Sequence, residues 1–237
     1  MTATGSTPEQ RGYERAYFQR AYFQDHPGKR RTNRLVVDQL RKAGLESGRV
    51  LDVGSGPGYL IRALEEAGYE AAGLDHSEEA LRLGAQHVSA EIQLGDVCEH
   101  IPWDDGSFDG VVLHDVIEHL TEEDAALVEI RRVLRPGGLV LLSTLNESSV
   151  LHKLLGKRWS FYQDPTHVKP WRTASLRALL ERHGFEVVYS TTYFDLNKAG
   201  ETTRWLEPLR RLGWVVHVPR FGESVTVVGR RLAGSSA

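Results

Sequence analysis

The sequence is short of the features that mark a secreted, membrane-spanning or cluster-bearing protein. Its 237 residues include one cysteine, Cys98, which excludes internal disulfides and cysteine-rich zinc or iron–sulfur sites. The lone thiol reads as packing rather than as a nucleophile. There is no run of roughly eighteen apolar residues, and no charged stretch followed by an apolar one at the start. A cytoplasmic protein without a membrane span is therefore expected. Charge is nearly balanced, 29 Lys and Arg against 32 Asp and Glu for a net −3, which argues against a global grip on nucleic acid and leaves only local patches. At this length, with 41% apolar residues, one core is well supplied and no second large domain is required.

What the chain does have is VLDVGSGPGYL at residues 50–60, an apolar run ending in an acid and in Gly54, Gly56 and Gly58. Val50, Leu51 and Val53 suit a buried parallel strand, and Tyr59, Leu60, Ile61 and Leu64 supply the apolar face of a following helix. Such a unit lets backbone N–H groups and a helix N-terminus approach a ligand that side chains would keep away. A nucleotide-type pocket is expected. The dinucleotide fingerprint G-x-G-x-x-G would need glycine at 59, where Tyr59 stands, and the third glycine falls at 58 instead. Hydride transfer is disfavoured on that ground.

Residues 1–12 read as a disordered lead-in. RAYFQ then occurs twice, at 15–19 and 20–24, bringing Tyr17, Phe18, Tyr22 and Phe23 into one segment; these either pack a helix on the core or cover the active site. Residues 1–47 are expected to form a helical N-terminal lid segment, and 48–237 the main domain. Pro27 and Gly28 read as a turn, with Thr32 or Asn33 capping a helix through Lys42 and the basic run Lys29, Arg30, Arg31, Arg34 as its solvated face. Beyond the glycines, strands within 70–77, 91–97 and 108–115, the first two ending in Asp75 and Asp96, alternate with helices. Ser77 is expected to cap the helix at 78–86, and Thr121 with Asp124 forms a capping-box-like start to a helix ending at Leu134. PGGLVLLSTLN supplies a turn and fifth strand. Helices at 150–156 and 174–183 flank an aromatic, histidine-rich loop, and strands follow at 185–194 and 224–231. Insertions are expected at about 147–172 and at 196–220, the latter with Trp205 and Trp214. This alternation predicts a doubly wound, Rossmann-like α/β fold: a mostly parallel seven-stranded sheet with an antiparallel last strand, helices on both faces and ligands at the carboxyl ends of the strands.

The glycine motif with Asp52 before it resembles the first motif of class I S-adenosylmethionine-dependent methyltransferases. The likeness extends over about residues 48–190 to the type 11 and ubiquinone-biosynthesis-like O-methyltransferases. It rests on VLDVGSGPGYL, AAGLDHS, LGDVCEHIPWDDGSFDGVVLHDVIEHL, RVLRPGGLVLLSTLN and DPTHVKPW. The resemblance implies S-adenosylmethionine as cofactor, S-adenosylhomocysteine as product, and a set of contacts. Asp52, Gly54, Ser55 and Gly56 would hold its amino acid end. Asp75, beside His76, would accept both ribose hydroxyls, since one carboxylate offers paired acceptors. Asp96 and Val97 would meet adenine, and the carbonyl of His114 the ammonium group.

The acceptor is less constrained, because families on one fold vary the parts that meet it. No proline pair follows the fourth strand, as base-amine methylation would require, and no cysteine sits where cytosine carbon methylation needs one. A small organic acceptor is expected, most simply a hydroxyl of an aromatic or natural-product intermediate, and a homodimer is compatible with this reading. An S-adenosylmethionine-binding protein without catalysis, and an RNA or protein methyltransferase, are the alternatives. DVIEH supplies Asp115, Glu118 and His119, an arrangement that some relatives use for a divalent metal; the metal-free alternative, adopted here, makes His119 the base. His167 is a second candidate base. Trp159, Phe161 and Tyr162, with Tyr17 and Tyr22, would wall the acceptor or merely pack.

Overall fold

Apolar residues run consecutively along the central strands, and the sheet they build is covered on both faces. In the computed structural model, which describes residues 27–195, 215–217 and 220–234, the strands are β1 (Arg49–Val53), β2 (Glu70–Asp75), β3 (Ile92–Leu94), β4 (Phe108–His114), β5 (Leu134–Leu145), β6 (Phe185–Asp195), β7 (Val215–His217) and β8 (Ser224–Arg231). The helices are α1 (Pro27–Lys42), α2 (Tyr59–Glu66), α3 (Glu78–Gly84), α4 (Glu123–Val133), α5 (Val150–Leu155) and α6 (Thr173–Arg182). Sheet order is β3-β2-β1-β4-β5-β8-β6-β7. Strands β3, β2, β1, β4 and β5 pair in parallel, and β8 runs antiparallel between β5 and β6. The expected seven-stranded sheet with one antiparallel strand is present, and β7 adds three residues, antiparallel, outside β6.

The period of two along the strands sorts the core. Leu51, Val53, Val111, Leu113, Val140 and Leu142 face α4 and α6, packing on Ala126, Leu127, Ile130, Leu176 and Leu179. Val50, Val112, Leu139 and Leu141 face the other way, onto Val36, Val37 and Leu40 of α1 and Leu60, Ile61 and Leu64 of α2. Each fully buried Leu, Ile or Val contributes about 1.5–3 kcal/mol relative to exposure, so both helical layers are needed to hold the strand ends in place.

Several boundaries differ from the expectations. Pro27 opens α1 instead of forming a turn, because a proline at the first helical position gives up only an N–H that would have no intrahelical partner. Thr32 and Asn33 are therefore buried inside the helix rather than capping it. The helix at 123 has no box from Thr121 and Asp124: residues 117–119 form a 3-10 turn and Leu120 is extended, so α4 starts only at Glu123, without a side-chain cap. Ser77 does cap α3, its Oγ accepting from Ala80 N at 3.3 Å. β3 stops at Leu94, because beyond Gly95 the Asp96 carboxylate accepts the Cys98 N–H at 2.8 Å and bends the chain into a side-chain-closed turn. The expected lid, with Tyr17 and Tyr22, and most of the insertion at 196–220 lie outside the described residues.

Candidate active site

The glycine turn leaves β1 at the carboxyl edge of the sheet. Gly54, Gly56 and Gly58 all have positive φ, 71°, 52° and 78°, which side-chain-bearing residues rarely adopt. Gly54 meets a second demand, because a Cβ there would lie 2.5 Å from Val116 Cγ2. The turn is thus pressed against the chain leaving β4. It is pinned to the next strand by Gly54 N–H and Ser55 N–H, which donate to Leu74 O at 2.7 and 3.2 Å.

Two buried acids lie beneath this turn. Asp75, at the end of β2, accepts Gly56 N–H at 2.8 Å through Oδ2 and Ser77 N–H at 2.9 Å through Oδ1. A carboxylate offers about four acceptor positions, so one acid can both tie the turn to β2 and meet hydroxyls. Asp52 is buried, and its carboxyl is pushed up to about 8: burial raises it, the Lys29 ammonium opposes that, and the Asp75 charge adds to it. Near neutral pH it is largely protonated in the protein alone. The His76 ring is exposed, with Nδ1 3.8 Å from Asp75 Oδ1. Asp96 is exposed and Val97 buried next to it. His114 ends β4 with Nε2 3.6 Å from Asp115 Oδ2. Asp115 itself takes φ 58°, uncommon outside glycine though best tolerated by Asp and Asn, and its N–H donates to Ser143 O at 2.8 Å.

Beyond β4 the site is made by side chains. The 3-10 turn Ile117–His119 is joined to the loop 159–171 by Val168 N–H donating to Glu118 O at 2.8 Å and by Trp171 Nε1–H to Ile117 O at 3.3 Å. Lys169 pairs with Glu123 and lies over the Trp171 ring, 4.5 Å from its centroid. In that frame Thr166 Oγ1 is 2.9 Å from His119 Nδ1 and 2.6 Å from Asp164 Oδ1. His167 Nδ1 is 2.7 Å from Phe161 O, and the His119 and His167 rings are 4.7 Å apart. Burial, with the neighbouring His167, holds His119 below the usual histidine range against the pull of Asp164 and Asp115.

The two candidate bases, His119 and His167, are thus brought together. Of the possible metal triplet, Asp115 falls away: among the described residues the donors that converge are Glu118, His119 and His167, one ligand atom from each within 4.8 Å of the others. Trp159 is fully enclosed, stacked on His152 at 4.4 Å and donating Nε1–H to the buried Glu223 at 2.7 Å. Its indole packs, whereas the Tyr162 ring is half exposed. Sequence reasoning passed over Asp164, Thr166 and Glu223, and read Lys29 only as part of a solvated face, whereas its charge acts on the buried Asp52. The Asp-Pro-Thr run was a usable signal for the first two, since an Asp two residues before Thr commonly closes a turn on its own backbone, as Thr166 N–H to Asp164 Oδ1 at 2.9 Å does here.

A carboxylate-tied glycine turn on β1, an acid ending β2 and a sheet of this order frame a class I S-adenosylmethionine-dependent methyltransferase. The chain belongs to the methyltransferase domain family, whose model matches residues 12–190. It is 30% identical over 186 residues to a ubiquinone biosynthesis O-methyltransferase of Alkalilimnicola ehrlichii, covering 72% of this chain and 75% of that one. It is 32% identical over 170 residues to a protein of the same description from Thiobacillus denitrificans, covering 66% and 73%. In structure it is similar to an S-adenosylmethionine-dependent methyltransferase from Thermotoga maritima, with a TM-score of 0.66 at 20% identity over 93% of this chain and 94% of that one. The cofactor is S-adenosylmethionine. The residues suit it: Gly54 is exposed on the turn, Ser55 Oγ is buried with no hydrogen-bond partner among the described residues, and the Asp75 carboxylate stands at the end of β2 beside the turn.

Proposed function

We propose that this enzyme methylates a hydroxyl oxygen of a small aromatic or natural-product metabolite, with His119 removing the hydroxyl proton. The observation that carries the reading is His119 itself. It stands on the 3-10 turn reached through Val116, the residue that abuts Gly54, and burial keeps it neutral and able to take a proton. When bound, S-adenosylmethionine supplies an electrophilic methyl group on a sulfonium. The protein's part is to hold that group and its acceptor in line and to remove one proton. The turn backbone, Ser55, Asp52 and Asp75 would hold the amino acid and ribose parts, with Asp96, Val97 and the His114 carbonyl toward adenine and ammonium. His76, exposed beside Asp75, would border the ribose. Tyr162 would border the acceptor. The O-methyltransferase descriptions of the relatives favour oxygen as the accepting atom.

Turnover against phenols, catechols, amines, RNA and protein, in excess chelator and with divalent metal restored, tests the reading. Methylation of a phenolic oxygen that is indifferent to chelator supports it. Chelator-sensitive turnover restored by metal would replace the base by an ion held among Glu118, His119 and His167. Turnover on RNA or protein alone would overturn the acceptor class, and cofactor binding without turnover on any acceptor would favour a non-catalytic binding protein.

A further inference from the structure

We infer that Asp164 and Thr166 act as positioning residues that fix His119 in the Nδ1–H tautomer, leaving Nε2 as its basic atom. A threonine hydroxyl has a single proton. Here that proton goes to Asp164, whose Oδ1 lies 2.6 Å from Thr166 Oγ1 and also accepts the Thr166 backbone N–H at 2.9 Å. The hydroxyl can then only accept from His119, whose Nδ1 is 2.9 Å away. The opposite tautomer would set two lone pairs against each other at that distance. Asp164 lies below the usual carboxylate range: burial alone would raise it, and the Thr166 hydroxyl and N–H with the two histidines outweigh that. It therefore remains an acceptor near neutral pH.

The neighbouring ring obeys the same logic independently. His167 Nδ1 is 2.7 Å from the Phe161 carbonyl oxygen, which can only accept, so His167 also carries its proton on Nδ1. One short loop thus sets both imidazoles. Pro165 restricts the backbone between Asp164 and Thr166, and Phe161 stacks on the His167 ring with centroids 4.7 Å apart. During the reaction the acceptor's O–H bond would break with its proton forming a new N–H bond at His119 Nε2, and the oxygen would take the methyl carbon as that carbon's bond to the sulfonium sulfur breaks, the electron pair staying on sulfur in the departing S-adenosylhomocysteine. Nδ1–H stays on Thr166 throughout, and Asp164 stays ionised and steadies the imidazolium through the hydroxyl. The tautomer follows from the hydrogen bonds alone; its consequence for rate rests on the proposed role of His119.

The test is two-bond 1H–15N correlation of the imidazoles in the full chain, with the His119 signals assigned by difference from His119→Gln. Wild type is expected to show His119 protonated on Nδ1. Thr166→Val removes the acceptor and should shift His119 toward the Nε2–H form, lowering kcat by about tenfold to a thousandfold with cofactor affinity unchanged, and Thr166→Ser should restore both. An Nε2–H signal in wild type overturns the inference with no variant needed, as does a folded Thr166→Val protein with an unchanged tautomer. A tautomer that shifts without any change in turnover upholds the inference and removes His119 as the base.

Discussion

The two halves of the site are built by different means. On the side proposed for the cofactor, parts 19 residues apart, Gly56 and Asp75, meet because β1 and β2 are paired in register, and the contacts are backbone N–H groups on one carboxylate. On the side proposed for the acceptor, His119 and Thr166 are 47 residues apart and meet through side chains carried by a 3-10 turn and a loop. The first arrangement is dictated by strand ends and glycine spacing, so any acceptor can be served without altering it. The second changes with each loop residue. A methyltransferase can therefore keep one half and vary the other.

The comparison is sharpened most by His119→Ala. It should lower kcat by about a hundredfold to ten-thousandfold while leaving the dissociation constant for S-adenosylmethionine unchanged by calorimetry. Because His119 is held below the ordinary histidine range, wild-type kcat should rise with pH and level off earlier than an unperturbed histidine would allow. Loss of cofactor affinity in this variant would show that the halves are not separable.

Asp75→Ala should do the reverse. It removes the acceptor of two N–H groups, from Gly56 and Ser77, each bond to a charged group being worth about 1.5–3 kcal/mol. Cofactor affinity should fall about tenfold or more. A variant that binds cofactor normally and loses only acceptor affinity would break the division.

Gly54→Ala probes the contact between the halves. Positive φ costs a residue with a Cβ about 1–2 kcal/mol, and the new methyl would also press on Val116. Adding Val116→Ala should relieve the clash but not the backbone strain, so thermal stability and cofactor affinity should recover only in part. Full recovery would mean that the turn tolerates the side chain and only Val116 forbids it.

The last test is in pH. Folded protein holds the Asp52 proton up to about 8, whereas the unfolded chain releases it near 3.8. Within that window unfolding releases a proton, so stability falls as pH rises, by at most about 1.4 kcal/mol per unit from this group. Asp52→Asn should flatten the slope of denaturation midpoint against pH between 4 and about 8. An unchanged slope would show that Asp52 ionises freely in the folded protein.

The architecture of the proposed cofactor half was legible because its residues are fixed by period and position: apolar runs with glycines at the ends, and acids just past them. Asp75 and the turn stand where the spacing put them, and Ser77 caps its helix. Boundaries failed where tertiary contacts overrode local signals. Thr121 looked like a cap, but His119 takes part in a 3-10 turn locked to Val168, which delays the helix. The acceptor half was legible as residue types only. His119 and His167 could be named, but nothing in a one-dimensional pattern shows that Thr166 lies against one and the Phe161 carbonyl against the other. Trp159 illustrates the limit: its aromatic character suits a pocket wall equally well, and a buried glutamate 64 residues away decides that it packs.

The position of β8 has a consequence for how the molecule is made. This strand follows both of its neighbours in the chain yet lies between them, pairing with β5 through Leu139–Leu145 and with β6 through Phe185–Tyr193. A growing polypeptide that already carries β5 and β6 therefore has two unpaired strand edges facing a gap, and neither can be satisfied until Ser224–Arg231 has been synthesised. Unpaired edges are templates for pairing with other chains, and contacts between distant segments close slowly. Translation that stalls short of residue 224 should thus leave a chain prone to self-association, and release of the final strand is the event that seals the sheet.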